Sequence, residues 1–418
     1  MTRRVAVVGG GSSGLACIKC CLDEGLQPVC FESSDDIGGL WRFKENPEAD
    51  RASIYHSVII NTSKEMMCFS DFPIPAHYPN FMHNSLIMDY FRIYADHFQL
   101  SEHICFNTKV LQVKQRSDFS RSGQWDVETE NKDGQQEKHI FDAVMICIGH
   151  HCHPHLPLHD FPALYWEGKP FDSLPLMAML YNALYLSTRR GAWIRNRVGD
   201  SGLPTDMQLP RLLNYVRNLV PMSLFSGLVE KRLNKRFDHA LYNLKPKHRL
   251  LSQHPTVNDE LPNRILSGTV QVKPNIRRFL GSRVEFDDGS VVEDVDLVVF
   301  ATGYRFSFPF LASHVVSVSE NNATLYKYVF PPELERPTLA VIGLVQPLGA
   351  VMPIAEMQAR WATRVFKGCI KLPSVASMLQ DVRCKQEAMA ERYVSSQRHN
   401  IQVDYITYMD EIAEHFLV

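Results

Sequence analysis

The chain opens on a short, solidly apolar run, Arg4 to Val8, with no polar residue between Val5 and Val8. A run of that length without alternation predicts a strand buried on both faces, as in a parallel sheet. Glycines follow, then a stretch from Leu15 to about Glu24 that predicts a helix, closed by Gly25. A second strand is predicted at Pro28 to Phe31, with Glu32 at its end. Farther on, Val110–Val113 and Gln124–Thr129 alternate apolar and polar positions, as a half-exposed hairpin or meander does. His139 to Ile148 reads as one strand whose second half is solidly apolar and hence buried. Val284 to Gly289 predicts a turn between short strands. Val295 to Ala301, ending in Thr302-Gly303, and Thr338 to Gly343 predict two more buried strands. From Met357 the spacing of Trp361, Ala362, Val365 and Phe366 predicts a helix. Phe161 to Tyr185 fits no such scheme: it reads Trp166-Glu-Gly-Lys-Pro170, then Leu174-Pro-Leu-Met-Ala-Met179.

Alternating strands and helices of this kind predict an α/β protein, and 418 residues leave room for two or three domains. Charge adds little. With 44 basic against 46 acidic side chains there is no basic excess of the kind nucleic-acid binding needs, so no nucleic-acid partner is expected. Ten scattered cysteines predict a reduced, cytosol-facing chain rather than a disulfide framework. Arg3-Arg4 runs directly into the first strand, so no secretory signal is read. No apolar run reaches the roughly 20 residues that span a bilayer. The longest, Leu174 to Leu186, carries Pro175 and Asn182 and predicts a buried helix or strand.

The chemistry begins in the first turn. Gly9-Gly10-Gly11-Ser12-Ser13-Gly14 follows a strand and opens a helix, and Glu32 closes the next strand 18 positions after Gly14. The first glycine of such a loop permits the tight turn. The second lets the backbone approach a pyrophosphate, and the third lets helix and strand pack closely. The free N–H groups of the helix N-terminus hold the phosphates, and Glu32 accepts ribose hydroxyls. A carboxylate there repels a 2′-phosphate, so this first site is not one for NADPH. Gly38-Gly39-Leu40-Trp41 follows, and resembles the Gly-Gly extension of flavoproteins with two dinucleotide sites. Cys147-Ile-Gly149 and Phe300-Ala-Thr-Gly-Tyr304 resemble the paired elements at which such chains cross between domains. FAD is therefore the expected ligand of the first loop. No cysteine occurs between Leu40 and Met67, which excludes a disulfide reductase of the same build. Gly149-His-His-Cys-His-Pro-His155 has the residues for a metal but lies in one loop without a distant ligand pattern, so no metal site is expected. Cys17 and Cys20 lie in the first helix and are read as packing.

Four runs carry a specific resemblance: Phe31-Glu-Ser-Ser-Asp-Asp-Ile-Gly-Gly-Leu-Trp-Arg-Phe43, Ile60-Asn-Thr-Ser-Lys-Glu-Met-Met-Cys-Phe-Ser-Asp71, Leu186-Ser-Thr-Arg-Arg-Gly-Ala-Trp193, and Phe300 to Tyr304. They resemble the flavin-containing monooxygenases, and the likeness runs from Arg3 to Met409. It implies FAD and NADPH as cofactors and O2 and a small, soft nucleophilic (N, S) or carbonyl substrate as partners. One oxygen atom would be transferred through a flavin hydroperoxide. The implied fold is that of a two-dinucleotide-binding-domain flavoprotein. Residues 1–155 form the first part of the FAD domain and 156–300 a truncated NADPH domain with an inserted helical region. Residues 301–418 return to the FAD domain and end in helices. Asn61 corresponds to the family's active-site asparagine; on its own it reads as a polar turn residue after a strand Ser57–Ile60. Thr62 corresponds to a backbone contact for FAD. Trp41 either stacks near the cofactor or fills core. Ser187-Thr188-Arg189-Arg190 corresponds to the strand end that reads the 2′-phosphate of NADPH, for which arginine is chemically suited.

Two departures stand against this likeness. The family carries a second Gly-x-Gly-x-x-Gly between positions equivalent to Pro162 and Leu186, and here an unrelated, shorter segment takes its place. The family also continues past position 418 into a hydrophobic anchor. It resides on the cytosolic face of the endoplasmic reticulum; this chain is expected mainly in the soluble fraction, with Arg211 to Val229 as a surface for peripheral membrane contact. The expected activity is an impaired NADPH-dependent monooxygenase. A non-enzymatic FAD-binding relic and an NADPH-independent flavin oxidase remain open.

Overall fold

The computed structural model describes residues 2–47, 51, 53–151, 153–161, 183–208, 211, 215, 219–319, 321–394 and 400–416. Residues 174–182 of the Leu174–Leu186 run and most of the segment in place of the second glycine loop lie outside them.

The chain divides into two compact units. The first comprises Met1–His153, Tyr304–Glu391 and Ser395–Val418; the second comprises Pro154–Gly303 and Arg392–Val394. In the first, β1 (Arg4–Val8), β2 (Gln27–Phe31), β3 (Ile104–Cys105), β7 (Ala143–Ile146) and the strand Leu339–Val341 form one sheet. Its order is Leu339–Val341, β7, β1, β2, β3, with every pairing parallel. Val5 to Val8 are buried, as their unbroken apolar run requires. Helix α1 (Ser12–Asp23) crosses from β1 to β2 and packs against the helix Val351–Lys367. That second helix begins before Met357 and buries Trp361, Ala362, Val365 and Phe366 at the predicted spacing. A meander of β4 (Thr108–Gln115), β5 (Trp125–Asn131) and β6 (Gln136–Phe141) is antiparallel throughout.

Three predicted strands differ, one of them, Ser57–Ile60, at the border of the candidate site. His139 to Ile148 is not one strand: its first half belongs to β6 in the meander and its second to β7 in the parallel sheet. Asp142 divides them. Its backbone N–H donates to Arg4 O at 2.9 Å and its carboxylate accepts from Arg4 N at 2.8 Å, so the chain turns from one sheet into the other there. Val295 to Ala301 forms no strand, and Val299 is 47% exposed. Its backbone is tied by Val295 N–H to Ser282 O, and Val295, Val298 and Phe300 pack on Phe279, Val284 and Phe286. An apolar run becomes a strand only where a neighbouring backbone pairs with it.

The second unit contains the parallel pair Leu184–Ser187 and Val270–Lys273, and an antiparallel sheet of Ile276–Leu280, Arg283–Phe286 and Val291–Val292. Gly289 makes the predicted turn there with φ of +80°. Buried His239 braces this unit, accepting from Ile194 N–H at 3.1 Å and packing against Trp193 and Phe237.

Candidate functional site

The first glycine loop sits at the C-terminal edge of the parallel sheet, where open α/β sheets bind ligands. Gly9 N–H donates to Phe31 O at 2.9 Å, and Gly9 has φ of +105°. A Cβ at Gly9 would lie 2.8 Å from Cys147 O, the end of β7. A Cβ at Gly14 would overlap the Gly9 carbonyl oxygen, so α1 reaches its sheet only because Gly14 has none. Gly11 is the N-cap of α1; its carbonyl accepts from Leu15 N–H at 3.0 Å. Ser12 is half-buried and Ser13 buried in the first turn. The amides at this end have no intrahelical acceptor, and the helix dipole favours an anion there.

Facing the loop is the second glycine pair. Gly38 N–H donates to Gly10 O at 3.0 Å, and a Cβ at Gly39 would come within 3.2 Å of the Gly11 Cα. Gly38 and Gly39 both have positive φ, which folds Gly39-Leu40-Trp41 into a single tight turn over the loop. Leu40 is half-buried, and Trp41 packs half-buried against the main core. Glu32 is 7% exposed, and its carboxylate accepts from Gly10 N–H at 2.6 Å, Ser34 N–H at 2.9 Å and Ser34 Oγ at 2.7 Å. A carboxylate has about four lone-pair sites, so a place remains for a ribose hydroxyl. Buried amides, a helix start and an oriented carboxylate converge on one cleft. These residues fit a dinucleotide.

Asn61 and Thr62 lie in a bend between Ile60, whose N–H donates to Met82 O, and the short helix Lys64–Met67. The predicted strand Ser57–Ile60 is reduced to one bridge, Ile59 with His83, because no longer backbone runs alongside it. Asn61 is exposed and Thr62 half-buried. Ser187 to Arg190 belong to the second unit, at the end of the strand Leu184–Ser187. Ser187 Oγ donates to Pro274 O at 2.8 Å and Thr188 N–H to Lys273 O at 3.1 Å. Arg189 and Arg190 are exposed, and Gly191 with φ of +74° turns the chain away after them.

Two neighbours of the cradle escaped the sequence reading. Gly343 follows the strand Leu339–Val341, has φ of +79°, and presses on Ser13 so closely that a Cβ would overlap the Ser13 hydroxyl. The signal was there, an apolar strand ending in glycine, but only the tertiary fold puts it on Ser13. His150 is the second. Burial pushes its imidazole down to about 3, His151 beside it acts in the same direction, and a hydrogen bond with the Gly343 backbone opposes both. A histidine held neutral when folded takes up a proton near 6.5 once unfolded. Its stabilisation is therefore complete above about 6.5 and is lost as pH falls toward about 3, by up to about 1.4 kcal/mol per pH unit. H150N is expected to flatten the fall of the thermal midpoint between about pH 6.5 and 4.5; an unchanged slope would place the acid sensitivity elsewhere. The cysteines of α1 are packing: Cys17, Cys20 and Cys21 are buried, and burial raises all three thiols above their ordinary range.

The cradle has counterparts among known proteins. The flavin-binding monooxygenase-like family matches residues 2–179 and 175–418. The chain belongs to that family. It is 55% identical to rat flavin-containing monooxygenase 5 over 440 positions, covering 99% of this chain and 82% of the relative. The human counterpart is 53% identical with the same coverage. Guinea-pig dimethylaniline monooxygenase [N-oxide-forming] 2 is 47% identical over 441 positions, again covering 99% and 82%. Among solved structures, S-allyl-L-cysteine S-oxygenase from Allium sativum superposes with a TM-score of 0.67 at 22% identity, covering 99% of this chain and 88% of that one. A cyclohexanone monooxygenase mutant from Rhodococcus bound to NADP+ also gives 0.67, at 15% identity, covering 100% and 98%. These structures share the fold of flavoproteins with two dinucleotide-binding domains. As a member of this family the chain is a flavoprotein monooxygenase, an oxidoreductase whose cofactors are FAD and NADPH. It acts with O2 on a small molecule.

Proposed function

We propose that the Gly9–Gly14 cradle holds FAD and that the chain transfers one oxygen atom from O2 to a soft nitrogen or sulfur nucleophile or a carbonyl carbon, with NADPH used poorly. The observation that carries this reading is the buried Glu32 carboxylate fixed on Gly10 N–H beneath the paired glycine turns. When bound, a flavin reduced by NADPH supplies the activated oxygen. The protein's residues do the rest. Amides of Gly11 to Ser13 at the start of α1 take the pyrophosphate, and Glu32, held by Gly10 N–H, takes the ribose. Leu40 and Trp41 close the cleft against water, and Thr62 offers a backbone contact. Asn61 presents an amide, donor and acceptor together, to the reacting rings. In the second unit Ser187, Thr188, Arg189 and Arg190 read the 2′-phosphate of NADPH. The first unit thus serves FAD and the second NADPH.

Poor use of NADPH is supported by the sequence. The alignments run over 440 positions, 22 more than the 418 residues of the chain, so the relatives carry residues that this chain does not. The absence of a second Gly-x-Gly-x-x-Gly between Pro162 and Leu186 supports the same reading. Purified protein is expected to carry a flavin spectrum and to oxidise a small thioether only slowly with NADPH. Absence of bound flavin would overturn the reading.

We also propose a peripheral membrane contact. No helix among the described residues is long and apolar enough to cross a bilayer. Leu219, Leu224 and Leu228 are 69%, 58% and 62% exposed, and the helix Met222–Arg236 also exposes Lys231 and Lys235. Apolar and basic groups together suit an anionic membrane surface such as the cytosolic face of the endoplasmic reticulum. The protein is expected to float with vesicles containing anionic phospholipid and to be released by high salt or carbonate. L224S/L228S is expected to weaken flotation severalfold, and carbonate-resistant binding would contradict a peripheral contact.

A further inference from the structure

Behind the cradle lies a buried polar chain that the proposed chemistry does not use. Gly343 N–H donates to Gln358 Oε1 at 2.8 Å, and Gln358 Nε2 donates to the Tyr408 hydroxyl at 2.7 Å. The Tyr408 hydroxyl donates in turn to the Lys327 carbonyl at 2.6 Å. Gln358 is fully buried and Tyr408 is 3% exposed, so both ends of the amide and the hydroxyl are satisfied without water. The far anchor is a strained turn. Lys327 and Tyr328 have φ of +50° and +58°, a left-handed backbone that non-glycine residues rarely adopt. The Lys327 ammonium is held by Asp381 at 2.6 Å and by Glu411. The near end is the Gly343 peptide, which bears on Ser13 in the first turn of α1.

A buried glutamine is costly to keep unless every polar atom is paired. An apolar residue of the same volume would fill this place between helices as well. What the amide adds is direction: it fixes the plane of a peptide that abuts the first turn of α1 at Ser13. We propose that Gln358, backed by Tyr408, is a positioning residue for the flavin, setting the Gly343 peptide so that Ser13 and the first turn of α1 present their amides to the pyrophosphate. The C-terminal helix Tyr405–Glu414, which carries Tyr408, thereby bears on flavin affinity. This inference rests on the reading of the Gly9–Gly14 loop as the FAD site.

The test is titration of the full-length apoprotein with FAD by flavin fluorescence, with the thermal midpoint of each apoprotein measured in parallel. Gln358→Met and Tyr408→Phe are each expected to raise the FAD dissociation constant on the order of tenfold, the effect of misdirecting one or two hydrogen bonds. Gln358→Glu keeps an acceptor for Gly343 N–H, and as a buried acid it stays protonated to serve Tyr408. It is expected to restore affinity to within about threefold of the native protein. A merely structural role would lower the apoprotein midpoint while leaving FAD affinity unchanged, and that result overturns the proposal. Where Gln358→Met does not fold, Tyr408→Phe decides. Gly11→Leu separates the two levels. If it retains flavin, the site itself is misassigned; if it loses flavin while Gln358→Met and Tyr408→Phe bind normally, only the positioning role fails.

Discussion

NADPH mixed anaerobically with the FAD-loaded protein is expected to bleach the flavin slowly or not at all, while dithionite reduces it fully. The pyrophosphate of NADPH ordinarily gains several charge-assisted hydrogen bonds from a glycine loop and helix start, each worth roughly 1.5–3 kcal/mol. Losing two or three weakens binding by at least two orders of magnitude, since about 1.4 kcal/mol is tenfold. As the proposed readers of the 2′-phosphate, Arg189 and Arg190 would recover part of this, but both are exposed at a strand end, where such pairing is screened by water and salt. Nor do they orient the nicotinamide: a misplacement of about 1 Å alone costs about 100-fold in rate. Stopped-flow absorbance settles it. Rapid, saturable bleaching at micromolar NADPH would overturn the reading of poor NADPH use.

The second large effect is expected at the glycines, and the structure separates two cases. At Gly11 a Cβ would meet only Gly39, at 3.7 Å from its Cα, which is ordinary contact. Gly11→Ala is therefore expected to fold. Gly11→Leu is expected to fold as well but to fill the space of the pyrophosphate, abolishing flavin absorbance in the purified protein. At Gly14 the Cβ overlaps the Gly9 carbonyl oxygen, which is backbone and cannot swing away. Gly14→Ala must push α1 off β1, so both flavin content and the thermal midpoint are expected to fall, stability by on the order of 1–3 kcal/mol as in overpacked cores. Absorbance near 450 nm beside a thermal melt reads both. Flavin lost without loss of stability in Gly14→Ala would refute the assigned packing role.

Much of this was legible in the residues because the causes are local. An unbroken apolar run, a glycine loop and Glu32 at the next strand end define a dinucleotide site within 29 consecutive residues, Arg4 to Glu32, and no distant contact is needed to read it. The helix carrying Trp361 and Phe366 announced its buried face by spacing alone. The family likeness rests on longer words of the same kind.

What the sequence could not determine depends on which backbone lies alongside. His139 to Ile148 is one apolar-ended run in sequence but two strands in two sheets, because Asp142 binds Arg4 far away in the chain. Val295 to Ala301 has the composition of a buried strand, yet among the described residues no strand pairs with it, and composition cannot supply a partner. Gln358 and Tyr408 are unremarkable in sequence and Gly343 is marked only as the end of an apolar strand; they meet only when the strand Leu339–Val341 joins β7 and the helix Tyr405–Glu414 packs behind it. Local patterns fix which faces must be buried and which loop can hold a phosphate. Long-range pairing, which no pattern of one segment contains, decides what those faces bury against and what holds that loop in place.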